Sequence, residues 1–186
     1  MEGTRRISTA MIVKISLFVA LIAIGAFIKV PIPNMVFTLQ FLFTNLAGLL
    51  LGPYYGALAV GLYVLLGLLG VPIFTAPAGP SYIFYPTFGY LIGFIVGAFA
   101  GGMIIQKSSK PGIKTYVFAG LLNLFFVYLF GVIYYYMIVN YITHNAMSFK
   151  VVLYWCLLLP IPGDLLLTYI AAIIAKRVHI GLGEYQ

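Results

Sequence analysis

Acidic side chains are almost absent from this 186-residue chain, which has 3 Asp and Glu residues against 10 Lys and Arg. Glu2 and Glu184 lie near the two ends, whereas Asp164 lies within the apolar segment 157–177. Charged residues make up only 7% of the chain and hydrophobic residues 63%, whereas a water-soluble domain carries roughly a quarter charged residues. The composition excludes an ordinary soluble domain and predicts an integral membrane protein.

Other absences narrow the possible functions. The single cysteine, Cys156, excludes an intramolecular disulfide, and the sequence has no CxxC motif or His/Cys cluster to hold a metal. We expect Cys156 to be a small buried side chain. The sequence has no P-loop or other nucleotide motif, so the energy for any uphill transport must come from elsewhere. The basic residues form no continuous face interleaved with aromatics, which disfavours binding to nucleic acid.

Six apolar segments predict six transmembrane helices, since a crossing takes about 20 residues and fewer where neighbours cover the ends. These segments cover approximately 9–28, 38–51, 55–70, 89–105, 115–142 and 151–175. Gly52 and Pro53 separate the second segment from the third, although these two could instead form one re-entrant pair. Pro160, Pro162 and Gly163 interrupt the sixth segment. The sequence therefore predicts an all-α integral membrane protein with a single transmembrane domain.

The positions of the basic residues predict the orientation. With six crossings and a cytoplasmic N-terminus, eight bases lie on the cytoplasmic side: Arg5, Arg6, Lys14, Lys107, Lys110, Lys114, Lys176 and Arg177. Lys29 and Lys150 lie outside. This positive-inside bias places both termini in the cytoplasm. We expect His144 in an outer loop and His179 in the C-terminal tail, both in contact with solvent.

Two segments on the predicted outer side, 29–37 and 71–88, are rich in proline and aromatic residues and nearly free of charge. Because long solvated loops are normally polar, we expect these segments to fold back over the membrane face. We interpret them as a lid above a pocket. The alternative is a pair of interfacial segments that rest on lipid headgroups.

Small residues recur every four positions on two predicted helices. Glycines line the fourth helix from Gly89 to Gly101, which allows another helix backbone to approach closely, and packing within the chain is the favoured explanation. Ser16 and Ala20 have the same spacing on the first helix. Their face is less clearly internal and could meet another protein.

The candidate ligand-binding residues are the few polar groups at membrane depth and at the outer edge. They are Thr38, Gln40, Asn123 and Asp164 within the apolar segments, with Lys29, Ser81, Tyr82, Tyr85 and Tyr90 at or near the outer edge. Asp164 precedes Ala175 by 11 residues, roughly 17 Å along a helix. In a hydrocarbon core about 30 Å thick, this distance places Asp164 toward the outer half.

Asp164 has two possible roles. A charged side chain at membrane depth costs at least a few kcal/mol, so it is normally kept for a reason. Asp164 follows the helix break, where its side chain could cap the new helix by accepting backbone N–H groups. It could also accept N–H groups from a ligand, since broken helices often mark transporter sites. No Ser/His/Asp set, HExxH motif or second carboxylate accompanies it, so the machinery for hydrolysis is missing.

Five motifs carry a family resemblance: FTLQ at 37–40, LLGPYYGAL at 50–58, GVPIF at 70–74, GYLIGF at 89–94 and PGDLL at 162–166. Their order and spacing resemble those of the BioY family, the biotin-specific substrate-binding subunits (S components) of energy-coupling-factor (ECF) transporters. The resemblance covers roughly residues 15–175.

This resemblance implies a six-helix S-component fold that holds biotin near the extracellular face under loops, with Asp164 accepting the ureido N–H groups. It implies a transmembrane coupling protein and two cytoplasmic ATPases as partners, with Ser16 and Ala20 in the small-residue motif that meets the coupling protein. Biotin is then the transported ligand, no cofactor is expected, and the chain itself is not an enzyme. Leu167 stands where the family often has lysine, so the ligand carboxylate is expected to meet Lys29 or the Ser81 and Tyr82 hydroxyls.

Two other functions compete with the S component. In one, the chain is a self-sufficient secondary transporter of a small vitamin-like solute in which Asp164 carries a proton. In the other, it is an intramembrane enzyme, which is the least favoured because no second catalytic group lies in the plane of Asp164.

Overall fold

The computed structural model describes residues 7–32, 35–143 and 145–183. In chain order its main elements are α1 (Thr9–Phe27), β1 (Lys29–Ile32), β2 (Met35–Thr38), α2 (Gln40–Leu68), α3 (Phe88–Lys107), α4 (Ile113–Met137), α5 (Phe149–Leu153) and α6 (Ile161–Gly181). A 3₁₀ turn covers Pro80–Phe84, and π-helical turns cover Ile138–Ile142 and Tyr154–Leu158. Arg5, Arg6 and His144 lie outside the described residues.

The architecture is mainly helical. Within the described ranges, five helical stretches are long and apolar enough to cross a membrane, with α2 counted once and α5 joined to α6. The antiparallel hairpin β1–β2, which pairs Lys29 with Thr38, is an addition to the predicted all-α fold. It lies in one of the two outer segments that we interpreted as a lid.

α2 spans both the second and the third predicted helices and is broken between them at Gly52 (φ 78°, ψ −177°). Glycine adopts positive φ without the cost that a Cβ imposes, and Pro53 has no N–H with which to continue the helix. A Cβ atom at Gly56 would lie 2.7 Å from the Cα of Gly48. In a straight helix these positions are about 12 Å apart, so the two halves of α2 fold back on each other.

The glycine line of α3 faces α4. A Cβ atom at Gly93 would lie 2.7 Å from the Cα of Val127, and one at Gly101 would lie 2.9 Å from the Ala119 carbonyl oxygen. Since both distances are shorter than ordinary van der Waals contacts, the two backbones approach too closely for a larger residue at either position. The expectation that these glycines pack within the chain is confirmed.

The small residues of α1 have a different environment. Ser16 and Ala20 are both exposed, and only 28% of the apolar span of α1 is buried. α1 packs mainly against α2. Its outer face is therefore available to lipid or to another protein.

The sixth predicted helix, 151–175, is divided in the structure. α5 and its π-helical turn end at Leu158, and α6 begins at Ile161 after the turn at Pro160. Pro162 is tolerated as the second residue of α6 because the N–H groups of a first helical turn have no intrahelical partner. α6 then continues past the predicted end at 175 to Gly181.

The expectation that His179 is in contact with solvent is wrong. His179 is 4% exposed, and its Nδ1 lies 2.5 Å from the hydroxyl of Tyr116 on α4. The reason is the length of α6, whose last turns pack beside the first turn of α4. Cys156 is buried, as expected.

The helix contacts define two ends of the bundle. The lid end contains the hairpin β1–β2, the segment 71–87 and the start of α2, which packs on Gly25 near the end of α1. The basic end contains the break in α2 and the C-terminal turns of α3 and α6, where Met11, Pro53, Ile105 and His179 border one hollow. Five basic residues lie near this end, in the last turns of α3 and α6, in the α3–α4 loop and in the first turn of α4: Lys107, Lys110, Lys114, Lys176 and Arg177.

Candidate ligand-binding site

A cavity lies at the lid end, between both lid segments and the helices α2, α3, α4 and α6. Its lining residues are Val36, Phe37, Thr38, Gln40, Phe41, Thr75, Tyr82, Thr87, Tyr90, Leu91, Phe94, Val127 and Asp164. Its volume is about 60 Å³, which is room for about two water molecules. The hairpin and the segment 71–87 both line the cavity, as a lid above a pocket would.

The carboxylate of Asp164 is held by a tyrosine. The hydroxyl of Tyr128 on α4 donates a hydrogen bond of 2.5 Å to Oδ2. The other oxygen, Oδ1, accepts no hydrogen bond from the residues that the structure describes. Asp164 is 8% exposed and borders the cavity, so Oδ1 is an acceptor that a ligand in the cavity can reach.

The capping role for Asp164 is wrong. Pro160 is at the N-cap position of α6, and no side chain caps the helix. Asp164 is already inside the first turn, where its N–H donates to the Pro160 carbonyl over 3.1 Å. The N-cap lies four residues earlier than the capping hypothesis required, at Pro160 and not at Asp164, because Pro162 is tolerated in a first turn. Its side chain is thereby left for Tyr128 and the cavity.

Gln40 supplies the complementary group. It is 4% exposed and lines the cavity. Its Nε2 is buried and has no hydrogen-bond acceptor among the described residues. Thr38 lines the cavity beside it, and its Oγ1 accepts the Gln40 backbone N–H over 3.3 Å. The cavity thus offers one unpaired acceptor on Asp164 and one unpaired donor on Gln40.

Three hydroxyls form a chain on the lid side of the cavity. The hydroxyl of Tyr82 lies 3.2 Å from the Oγ1 of Thr75 and 3.1 Å from the Oγ1 of Thr87. Tyr82 is 2% exposed, and its ring packs against Phe74 with centroids 4.3 Å apart. We call Thr75, Tyr82 and Thr87 the hydroxyl cluster. It can donate hydrogen bonds to an anion without a basic residue.

The remaining candidates divide between the cavity and the surface. Tyr90 lines the cavity and donates to the Cys156 carbonyl over 2.7 Å. Lys29, Ser81 and Tyr85 are exposed and do not line the cavity, although the ring of Tyr85 stacks on that of Tyr82 with centroids 5.2 Å apart.

Asn123 is fully buried but lies away from the cavity. Its Nδ2 donates to the Asn45 Oδ1 over 3.2 Å, which joins α4 to the first half of α2. Asn123 also packs against Gly97, since a Cβ there would lie 2.8 Å from the Asn123 carbonyl oxygen. The structure therefore gives Asn123 a helix-packing position.

Sequence reasoning missed several groups that the structure brings to the site. Tyr128 is one of 15 tyrosines, and its spacing from Asp164 along the chain carries no signal for their contact. Thr75 lies in a segment rich in proline and alanine, where no pattern singles it out. Phe94 and Val127 belong to apolar helix faces and supply the nonpolar wall.

The chain is similar to known proteins over nearly its whole length. The profile of the BioY family matches residues 2–184. The chain is 38% identical to a probable biotin transporter BioY from Lysinibacillus sphaericus, over 92% of this chain and 88% of that protein. It is 37% identical to the biotin transporter BioY from Thermotoga maritima, over 90% of this chain and 94% of that protein.

Solved structures show the same fold. A crystal structure of the S component for biotin from an ECF-type ABC transporter superposes with a TM-score of 0.81 at 24% identity, over 94% of this chain and 95% of that chain. The structure of FolT bound with folic acid superposes with a TM-score of 0.54 at 16% identity and covers 96% of both chains. From the family match and the curated relatives, this chain belongs to the BioY family.

Proposed function

We propose that this chain is the biotin-binding S component of an ECF vitamin uptake transporter, a multi-pass protein of the prokaryotic plasma membrane. It binds biotin in the cavity at the lid end. The observation that carries the proposal is that cavity, which is bordered by the Asp164 carboxylate and by a buried Gln40 amide N–H without an acceptor among the described residues, beneath two lid segments. Family membership supports biotin as the ligand.

We infer six crossings with both termini in the cytoplasm. The two halves of α2 fold back at Gly52, so each half can cross separately. α1 runs from the basic end to the lid end, and α6 runs back to the basic end. The basic end then faces the cytoplasm, as the positive-inside bias favours, and the lid end faces outward.

The ureido group of biotin matches the two unpaired groups. A urea carries N–H donors and one carbonyl acceptor. Asp164 Oδ1 accepts the N–H groups while Tyr128 holds Oδ2, and the Gln40 amide donates to the carbonyl. Hydrogen bonds to an ionised acceptor are roughly twice as strong as neutral ones. Phe41, Phe94 and the other apolar wall residues surround the thioether ring.

We propose that the hydroxyl cluster meets the ligand carboxylate. The Leu167 side chain is buried and does not line the cavity. Lys29 is exposed on the hairpin, outside the cavity. Tyr82 already lies between the two threonines, so a carboxylate that replaces one of these two hydrogen bonds gains up to two hydroxyl donors without a basic residue.

Ligand entry requires the lid to move. The cavity of about 60 Å³ holds about two waters, which is less than a bicyclic vitamin needs. The ring of Phe37 on the hairpin contacts Gly163, since a Cβ there would lie 2.7 Å from the ring. The hairpin thus rests directly before Asp164, and its displacement opens the site.

The partners are a transmembrane coupling protein and two cytoplasmic ATPases, which hydrolyse ATP in place of this chain. The exposed face of α1 with Ser16 and Ala20 supports this assignment. Small side chains permit a close approach of helix backbones, and Ser16 and Ala20 are exposed among the residues that the structure describes.

The test is calorimetric titration of biotin into the detergent-purified chain, together with mass spectrometry of any small molecule that co-purifies. We expect tight binding by the isolated chain and co-purified biotin. A chain that melts cooperatively but binds no biotin would contradict the proposal. Uptake that needs no ATPase and stops when the proton gradient is dissipated would instead support the secondary transporter.

A further inference from the structure

A second cavity lies at the basic end, between the α3–α4 loop and the last turns of α6. Its volume is about 110 Å³, and its walls include Lys110, Tyr116, Lys176 and His179. The share of one water in the liquid is about 30 Å³, so the space accepts a group larger than a single water. The lining residues described for this cavity are all different from those of the biotin cavity.

The lysines at this cavity have no carboxylate partner in the described ranges. Asp164 is the single acid within residues 7–32, 35–143 and 145–183, and it lies at the lid end. Lys107 and Lys114 add further positive charge near the same loop. The cavity is therefore complementary to an anion.

The floor of the cavity is polar and ordered. Tyr116 is 1% exposed and His179 4%, and their hydrogen bond of 2.5 Å joins α4 to α6. Lys110 approaches from the loop, and Lys176 lies one helical turn before His179 on the same face of α6. Two cations, one on the loop and one on α6, thus line the same cavity as a buried hydrogen-bonded pair.

We propose that this cavity binds the phosphate group of an anionic phospholipid. Lys110 and Lys176 donate charge-assisted hydrogen bonds to the phosphate oxygens from two sides. The lipid is the source because the cavity lies at a membrane surface, where anionic headgroups are concentrated and lysines attract them. The bound headgroup ties the α3–α4 loop to α6.

The experiment is native mass spectrometry of the full chain titrated with phosphatidylglycerol or with neutral phosphatidylcholine. The cavity variant is Lys110→Ala/Lys176→Ala. The matched control, Lys107→Ala/Lys114→Ala, removes the same charge at the same end but no residue of the cavity. We expect the parent to retain one phosphatidylglycerol in preference to phosphatidylcholine. The cavity variant should bind it at least about tenfold more weakly, and the control should stay within about threefold.

Several outcomes would overturn this assignment. Equal losses in the two double variants would mean general surface attraction, and retention without headgroup preference would mean ordinary lipid adhesion. Glu184 lies outside the described residues, so Glu184→Gln is tested as well. Tenfold tighter lipid binding by Glu184→Gln would show that the lysines are already neutralised within the chain. Inorganic phosphate that binds as tightly as the lipid would assign the cavity to a soluble phosphate compound instead.

Discussion

Two tyrosines of α4 contact α6, one toward each end of the bundle. The two contacts differ in the groups that they leave beside the neighbouring cavity. At the lid end Tyr128 donates to Asp164 over 2.5 Å, and at the basic end Tyr116 lies 2.5 Å from His179. Asp164 keeps a second oxygen at the edge of a cavity, whereas His179 borders a different cavity that two lysines also line. A tyrosine of α4 therefore orients an acceptor beside a cavity at one end and joins α4 to α6 at the other.

The two ends also differ in charge. The described lining of the cavity at the lid end contains one acid and no lysine or arginine, and that of the cavity at the basic end contains two lysines and no acid. We expect variants at the lid end to change biotin affinity and variants at the basic end to change stability or lipid binding. The predictions below run from the largest expected effect on biotin affinity to the smallest.

The largest effect is expected for Asp164→Asn. The variant keeps the size of the side chain but removes the charge and introduces N–H donors opposite the ureido N–H groups. A hydrogen bond to a charged group is worth about 1.5–3 kcal/mol, and an unmatched buried donor costs a similar amount. Biotin affinity should fall by roughly ten- to a thousand-fold, measured by calorimetric titration. If the variant bound biotin with the parental affinity and had an unchanged melting temperature, Asp164 would not be a ligand-binding residue.

Thr75→Val/Thr87→Val should have the next largest effect. The variant keeps the shape of both side chains and leaves Tyr82 without its two hydroxyl neighbours. Affinity for biotin should fall by about tenfold or more, as expected for the loss of a hydrogen bond to a charged group. Affinity for biotin amide, which lacks the charge, should fall less. Lys29→Ala is the matched control and should bind both ligands as the parent does. If Lys29→Ala lost affinity for biotin but not for biotin amide, the ligand carboxylate would be bound by Lys29 and not by the hydroxyl cluster.

Tyr128→Phe should reduce affinity less than Asp164→Asn. The variant keeps the ring that packs in the helix interface but frees Asp164 Oδ2, so the carboxylate loses its fixed orientation. We expect a several-fold to roughly tenfold loss of affinity and a lower melting temperature. An unchanged affinity would mean that packing alone orients Asp164.

Tyr116→Phe makes the equivalent change at the basic end and should leave biotin affinity unaltered. It removes the hydrogen bond to His179, worth about 1 kcal/mol of stability. The melting temperature should fall by roughly 2–4 °C. Any loss of biotin affinity comparable to that of Tyr128→Phe would contradict the separation of the two ends.

Ala20→Trp should affect neither biotin affinity nor stability. Ala20 is exposed on α1, so a bulky side chain there finds space in the isolated chain but blocks close approach of a partner helix. Pull-down with the coupling protein should show weakened assembly. Gly93→Trp is the contrasting variant, because Gly93 packs on Val127 and the change should prevent folding. Normal assembly of Ala20→Trp with the coupling protein would show that this face of α1 does not form the proposed contact.

Much of the fold could be predicted because its signals are local. Apolar length predicted membrane helices, and Gly52 with Pro53 predicted the break in α2. The glycine line predicted a close helix interface, since its period matches a helix face. The hairpin β1–β2 was missed because KVPIPNMVF contains two prolines and no alternation strong enough to indicate strands. The end of α6 was missed because its later turns contain charged residues that resemble a tail.

The candidate site was predictable only in part. Asp164 stood out because an acid in hydrocarbon is costly, and Gln40 and Thr38 because few polar groups lie at that depth. Tyr128 and Thr75 could not be singled out, since each is one of many similar residues. Lys29 and Ser81 were predicted at the site because they lie in the two outer segments, but in the structure both are exposed and lie outside the cavity.

By itself the sequence determined that this is a membrane protein and at which residues its helices are interrupted. It also determined that Asp164, as an acid within an apolar segment, needs a role. These properties depend on the cost of transferring each residue into lipid and on backbone preferences, which act locally. The tertiary structure decided which oxygen of Asp164 is free, which hydroxyls form a cluster and that His179 is buried. Contacts such as Tyr128 with Asp164 join residues 36 positions apart. They exist only because the packing of α4 against α6 selects which faces meet.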